Sequence, residues 1–256
     1  MRYFLELSYI GTSYSGFQVQ ENANTVQAEM EKAIAVLLKE KVALTGSSRT
    51  DAGVHAWQNY FHFDTAVPIE NKGLKDKQQF VYKLNAILPP AIAVRSLQLV
   101  NDKAHSRFDA IYREYNYYLS TIKNPFIQDR AYYFPYKVDM ELMQSAAGIL
   151  KEYTDFTSFS KRNTQAKTFI CHLAISEWEK RGSVLVYKVR GDRFLRGMVR
   201  ALTSTMLNVG RKKTNLEEFR KIIEARDCSK ASFAVPAHGL FLMKVEYPAG
   251  LQPSVG

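Results

Sequence analysis

The chain has 256 residues, 46% of them apolar, which suffices for one large core or two modest ones and excludes a disordered or low-complexity class. Its net charge of +10 and pI near 9.4 call for an anionic partner. No apolar run reaches the roughly eighteen residues of a membrane span, so no membrane association is expected.

The amino terminus enters at once into residues 2–10, which alternate as a strand and do not read as a signal peptide, so a soluble, cytoplasmic protein is expected. A glycine-punctuated loop follows over residues 11–18. Asn24 with Gln27 makes a capping pair, and Val26, Met30, Ala33, Ile34 and Leu37 fall at helical spacing through residue 39. A short apolar run at 42–44 and the aromatic, near-alternating run 57–63 read as strands on either side of the polar stretch 47–56. A lysine-rich helix is expected over 74–88, with Phe80, Val81, Leu84 and Leu88 inward, stopped by Pro89-Pro90 before a strand at 92–100. The order is β-α-β-β-α-β, that of a ferredoxin-like unit.

The second half repeats the scheme: strand 112–121, helix 140–151 after Asp139, and strands 169–178 and 184–189 joined through Arg181-Gly182. A helix at 194–209 ending at Gly210, a capping box of Thr214 with Glu217, and a last strand at 240–247 complete it. The expected fold is α+β: two ferredoxin-like or RRM-like lobes, 1–107 and 108–256, with mostly antiparallel sheet and a basic cleft between them.

Cys171 and Cys228 form no C-x-x-C pair, and the five histidines have no ligand spacing, so no metal is expected. Fifteen tyrosines and fifteen phenylalanines beside the positive charge suit stacking on unpaired bases, which points to RNA. In the polar stretch, Asp51 is followed by the small residues Ala52 and Gly53, which leave room for a ligand in front of a carboxylate. The same residues are also those of an ordinary turn, and local chemistry leaves both readings open.

Arg49-Thr50-Asp51-Ala52-Gly53-Val54-His55 resembles the signature of the TruA family of tRNA pseudouridine synthases. Asn85 to Pro89, Phe108-Asp109-Ala110, Arg113 to Tyr117, Asp155 to Phe159, Met198-Val199-Arg200 and Gly239 to Leu242 resemble further family segments in the same order. The resemblance implies an isomerase that rejoins the ribose of a uridine to C5 of the same base, at positions 38–40 of the anticodon arm, without cofactor. It implies Asp51 as the catalytic carboxylate, Arg200 as its cationic partner, and Tyr115 as the ring lying against the target uracil. A homodimer with tRNA as partner follows from the same resemblance. Arg49, Arg107, Arg196, Asn59 and His55 are the expected substrate-binding residues; by spacing, Arg193, Arg196 and Arg200 would share one helix face. Two departures from the family pattern bear on substrate preference: Ala201 to Ser204 replace N-I-V-G, which bears on how closely that helix packs, and Asn59 stands where Gln is usual, which bears on contacts to RNA. A non-catalytic tRNA-binding protein or chaperone is the alternative. A hydrolase with paired carboxylates is weakened by the lack of a second acid close to Asp51 in sequence.

Overall fold

A computed structural model of the chain describes residues 1–162 and 166–251. They form a mixed α+β protein with mostly antiparallel sheet and five α-helices among the described residues. None of these helices is long and apolar enough to cross a membrane. The chain divides into two compact units, Met1–Ile111 with the chain from Leu242 onward, and Tyr112–Phe241.

The first unit contains β1 (Arg2–Tyr9), α1 (Val26–Leu38), β2 (Thr45–Gly46), β3 (His55–Asp64), α2 (Lys77–Ile87) and β4 (Ile92–Val100). β1 lies between β4 and β3, antiparallel to both, so that Leu5 faces Leu97 on one side and Phe61 on the other. β2 pairs antiparallel with β3. β1 is buried at Tyr3, Phe4, Leu5 and Leu7, as a central strand covered on both faces should be. Phe63 on β3 stacks between Tyr3 at 5.7 Å and Phe80 of α2 at 6.3 Å, which seats that helix on the sheet.

Three boundaries differ from the sequence reading. α1 is capped by Thr25, whose Oγ1 accepts the N–H of Ala28 at 3.3 Å, one residue after the expected cap at Asn24. α2 starts at Lys77, because Asp76 accepts the N–H of Gln79 at 2.7 Å and the chain before it is a 3-10 turn ending at Gly73. The strand expected at 42–44 forms only at Thr45–Gly46. Side chains of α1 take the backbone of Leu44 first: Gln27 donates to its carbonyl at 2.9 Å and Glu31 accepts its N–H at 3.0 Å.

The second unit contains β5 (Tyr112–Ser120), β6 (Tyr132–Tyr133), α3 (Met140–Ile149), β7 (Leu173–Arg181), β8 (Val184–Gly191), α4 (Met198–Gly210) and α5 (Leu216–Glu224). The last strand, β9 (Leu240–Glu246), begins here and continues into the first unit. β8 runs antiparallel between β5 and β7, which aligns Tyr187 with Tyr117 and Trp178. β6 adds a two-residue parallel pairing to β5. Asp139 caps α3 as expected, accepting the N–H of Leu142. Phe156, Phe159 and Phe219 fill the helical side of the core.

The helix expected from residue 194 begins four residues later. Gly197 takes φ +75 before Met198, a left-handed conformation outside the helical region, so the helix does not extend backward through it. Arg193 and Arg196 therefore precede α4 and do not share a helix face with Arg200. Gly210 is the last residue of α4 and not a left-handed cap; its missing side chain admits Met143, whose Cγ and Sδ would stand 2.6 Å from an added Cβ. The capping box is formed by Asn215 and Glu218, one residue beyond the expected pair. β7 starts at Leu173, because Phe169 and Cys171 bond to the backbone of Phe156 and Thr154.

Candidate active site

The loop between β2 and β3 carries the Asp51 signature. The Asp51 carbonyl accepts the N–H of Val54 at 3.1 Å, and Gly53 has φ +78, so the segment is a tight turn with glycine at the position that needs positive φ. The turn is also a mount: Arg49 and Ala52 are exposed, Asp51 is half-buried, and Thr50 is buried behind it.

The glycine-punctuated loop after β1 is the support for this turn. The Gly11 N–H donates to His55 Nδ1 at 3.1 Å. At Gly16, with φ +113, an added Cβ would stand 3.3 Å from the Thr50 carbonyl oxygen, and the next residue, Phe17, donates its N–H to that same oxygen at 3.1 Å. The Phe17 ring stacks on Phe61 at 4.6 Å and covers Gly46, where a Cβ would meet the ring at 2.0 Å. Backbone of one loop thus lies on backbone of the other, which only glycine allows.

Beneath the turn is a buried polar cluster. Asn59 Oδ1 accepts from Ser47 Oγ at 2.7 Å and from the Tyr60 N–H at 2.9 Å, while its Nδ2 donates to the Ser48 carbonyl at 3.1 Å and the Tyr9 hydroxyl at 3.2 Å. The hydroxyls of Tyr9 and Thr50 are 2.8 Å apart. Asn59 and His55, both expected at the substrate, have no exposed surface. In this structure they hold the loop from below. Tyr9, Ser47 and Thr50 were not among the expected residues; the alternation of β1, which ends at Tyr9 two residues before Gly11, is the sequence feature that places Tyr9 there. Ser48 Oγ is buried and makes no hydrogen bond among the described residues.

Arg107 lies on the loop after β4, in the same unit. His105 Nδ1 accepts the N–H groups of Arg107 and Phe108 at 3.1 and 3.3 Å, and Asp109 accepts the N–H of His105 at 2.7 Å. Both Arg107 and Phe108 are exposed, with the guanidinium 5.6 Å from the ring centre. Ser106 ties this loop to the strands from which the Asp51 loop departs: its N–H donates to His62 Nδ1 at 3.2 Å and its hydroxyl to the Thr45 carbonyl at 2.8 Å. His62 is thereby an unprotonated acceptor at Nδ1, and burial, with Arg2 and His105 nearby, lowers its pKa to about 4.

The remaining expected residues are in the second unit. Tyr115 sits on β5 opposite Val189, half-buried, its ring edge-to-face against Phe194 at 5.1 Å. Arg200 is in the first turn of α4, where Nε and one terminal nitrogen donate to the Val235 carbonyl at 2.9 and 2.8 Å. That grip fixes the guanidinium plane. A carbonyl answers the donors with a dipole and not with a full charge. Arg196 is exposed on the segment before α4, and its carbonyl accepts the Lys161 N–H at 3.0 Å. Cys171 is fully buried, and burial pushes its thiol up to about 12, in keeping with a packing residue.

The profile of a family described as tRNA pseudouridine synthase matches residues 7–109 and 153–248. The chain is similar to the tRNA pseudouridine synthase A of Parabacteroides distasonis, with 45% identity over 98% of each chain. It is 45% identical to the protein of that name from Bacteroides thetaiotaomicron, over 96% of this chain and 91% of that one. With the Bacillus subtilis protein of the same name it shares 37% identity over 96% of this chain and 99% of the other.

Proposed function

Because the chain belongs to the TruA family of tRNA pseudouridine synthases, we propose that it isomerises uridine at positions 38–40 of the tRNA anticodon arm, with Asp51 as the essential carboxylate. It is an isomerase acting on tRNA uridine. The N1–C1′ bond breaks and a C5–C1′ bond forms on the same base. C5 gives up one proton and N1 takes one, so the product has the atoms and the oxidation state of the substrate.

The observation that carries the reading is the setting of Asp51: a half-buried carboxylate on a turn locked from below and behind, flanked by exposed Arg49 and Ala52. Both courses open to it, attack at the sugar or proton removal from it, need the carboxylate. Arg200 is proposed as its cationic partner, supported by the family motif and by the fixed plane of the guanidinium. Tyr115 is proposed to lie against the uracil, supported by a half-buried ring braced on Phe194. Arg49, Arg107 and Arg196 are proposed to meet phosphate or base, supported by their exposure. His55 and Asn59 act through the loop they hold.

The reading includes two ferredoxin-like lobes, 1–107 and 108–256, with a basic cleft between them. The strand order β4-β1-β3 with β2 on β3, and the net charge of +10, support it. A cytoplasmic homodimer rests on the family resemblance alone, and sedimentation showing a fully active 29.3 kDa species at micromolar concentration would contradict the dimer.

The direct test is to incubate the protein with unmodified tRNA transcripts and map pseudouridine by nucleotide. Product at positions 38–40 is expected. Tight binding without product on any tRNA would replace the enzyme with the binding protein.

A further inference from the structure

We propose that the Tyr9 hydroxyl, oriented by Asn59, is a positioning residue that fixes Thr50 and with it the Asp51 carboxylate; this rests on the reading of Asp51 as catalytic. The buried cluster has a direction that the backbone sets. Asn59 Oδ1 faces an N–H, that of Tyr60 at 2.9 Å, and Asn59 Nδ2 faces a carbonyl, that of Ser48 at 3.1 Å. Rotating the amide by half a turn would set donor against donor and acceptor against acceptor, so only one orientation is compatible with the backbone. The second Nδ2 hydrogen then goes to the Tyr9 oxygen at 3.2 Å.

The Tyr9 oxygen, which accepts from Asn59, is also 2.8 Å from Thr50 Oγ1, a hydrogen bond in which either hydroxyl can donate. The Thr50 carbonyl is held separately by the Phe17 N–H at 3.1 Å. Thr50 is therefore gripped at its side chain by Tyr9 of β1, itself held by Asn59 of β3, and at its backbone from the glycine loop, one residue before Asp51. The turn that follows is closed by the Asp51 carbonyl on the Val54 N–H. Tyr9 is 3% exposed and Asn59 0%, so no water competes for these bonds, and a partner deprived of its bond stays deprived.

Such a grip acts on the geometry of the reacting group and not on tRNA binding. A carboxylate displaced by about 1 Å loses on the order of a hundredfold in rate, and Tyr9, only 3% exposed, offers no surface for a phosphate to meet. The structure also supplies a control. Tyr3 is a second fully buried tyrosine of β1, whose hydroxyl oxygen accepts the Ile69 N–H at 3.4 Å and has no bond to the Asp51 loop.

The experiment measures kcat, KM and melting temperature for Tyr9→Phe, Tyr3→Phe, Thr50→Val and Thr50→Ser on one tRNA transcript. Tyr9→Phe and Thr50→Val are expected to lower kcat about tenfold or more with KM within about twofold of wild type, and the double variant to be no worse than Tyr9→Phe alone, since Tyr9→Phe already removes the bond to Thr50 together with the one from Asn59. Thr50→Ser, which keeps the hydroxyl, and Tyr3→Phe are expected to keep the wild-type kcat. Wild-type kcat in Tyr9→Phe, or equal losses in Tyr9→Phe and Tyr3→Phe, would overturn the proposal while leaving Asp51 as the catalytic carboxylate, because the wild-type protein is active in the same assay. Should Tyr9→Phe not fold, Thr50→Val against Thr50→Ser decides. An inactive wild type overturns the catalytic reading and this proposal with it.

Discussion

Gly11 and Val54, 43 positions apart in the sequence, are in backbone contact: a Cβ built on Gly11 would stand 2.0 Å from the Val54 carbonyl oxygen. The loop after β1 is therefore a surface against which the Asp51 turn is cast. Gly11→Ala is expected to push the two loops apart, with a loss of about 3 kcal/mol in stability and a disproportionate loss of activity. Gly148→Ala is the comparison, since that helical glycine in α3 has nothing within 4 Å of an added Cβ. It is expected to gain about 0.5 kcal/mol. Thermal melts of both variants check this, and an unchanged melt for Gly11→Ala would contradict the contact.

Ser48 gives the opposite expectation. Its Oγ is buried without a hydrogen bond among the described residues, so the folded state bears a desolvation cost with no return. Ser48→Ala is expected to raise stability by about 1 kcal/mol and leave pseudouridine formation unchanged. A lower melting temperature, or a fall in kcat, would show that this hydroxyl is used.

Acid is expected to loosen the first unit through His62. Its folded pKa, about 4, lies below the 6.5 of an unhindered ring, so the unfolded chain takes up the proton first as pH falls. The contribution is complete above about pH 6.5 and is lost as pH drops toward 4, amounting to up to about 3 kcal/mol. Arg2 and His105 oppose the proton, while Asp64 and Asp109 favour it by less. Denaturant midpoints between pH 7.5 and 4.5 measure the slope, and His62→Asn, which keeps an acceptor near the Nδ1 position but does not titrate, should flatten it. Equal slopes in the two proteins would exclude His62.

The positive charge makes tRNA affinity fall with salt, through release of counterions from the phosphates. Arg196→Glu, at an exposed position ahead of α4, is expected to weaken different tRNAs to the same degree and to reduce the salt slope. Binding isotherms at several salt concentrations give both quantities. Affinity independent of salt, or a loss confined to one tRNA, would contradict a phosphate contact.

Strand positions were legible where periodicity was strong. β4 starts and stops where the apolar pattern does, and β1 and β9 differ from the expected strands by a residue. Helix ends were less legible, because competing caps stand side by side: Asn24 beside Thr25, and Thr214 beside Asn215. The start of α4 was hidden because Phe194 to Met198 carry helical spacing, while the feature that breaks the helix, the left-handed backbone at Gly197, is a conformation that the residue type allows but does not announce. Among the expected site residues, Asp51 stands out in the sequence by its motif, and its catalytic role is the proposal made above. The burial of Asn59 and His55 was not readable, since polarity suggests a surface and only the tertiary fold brings Tyr9, Ser48 and Gly11 within bonding distance of them.

Asp51→Asn tests the central claim most directly, because it keeps the shape of the side chain and removes the charge on which both nucleophile and base depend. The measurement is pseudouridine formed per enzyme on a tRNA substrate, taken together with tRNA affinity and a thermal melt on the same preparation. The variant is expected to fold, to bind tRNA at least as tightly as wild type, since a negative charge has been taken from a chain of net charge +10, and to form no pseudouridine. A folded Asp51→Asn protein that forms pseudouridine at the wild-type rate would contradict the assignment of Asp51.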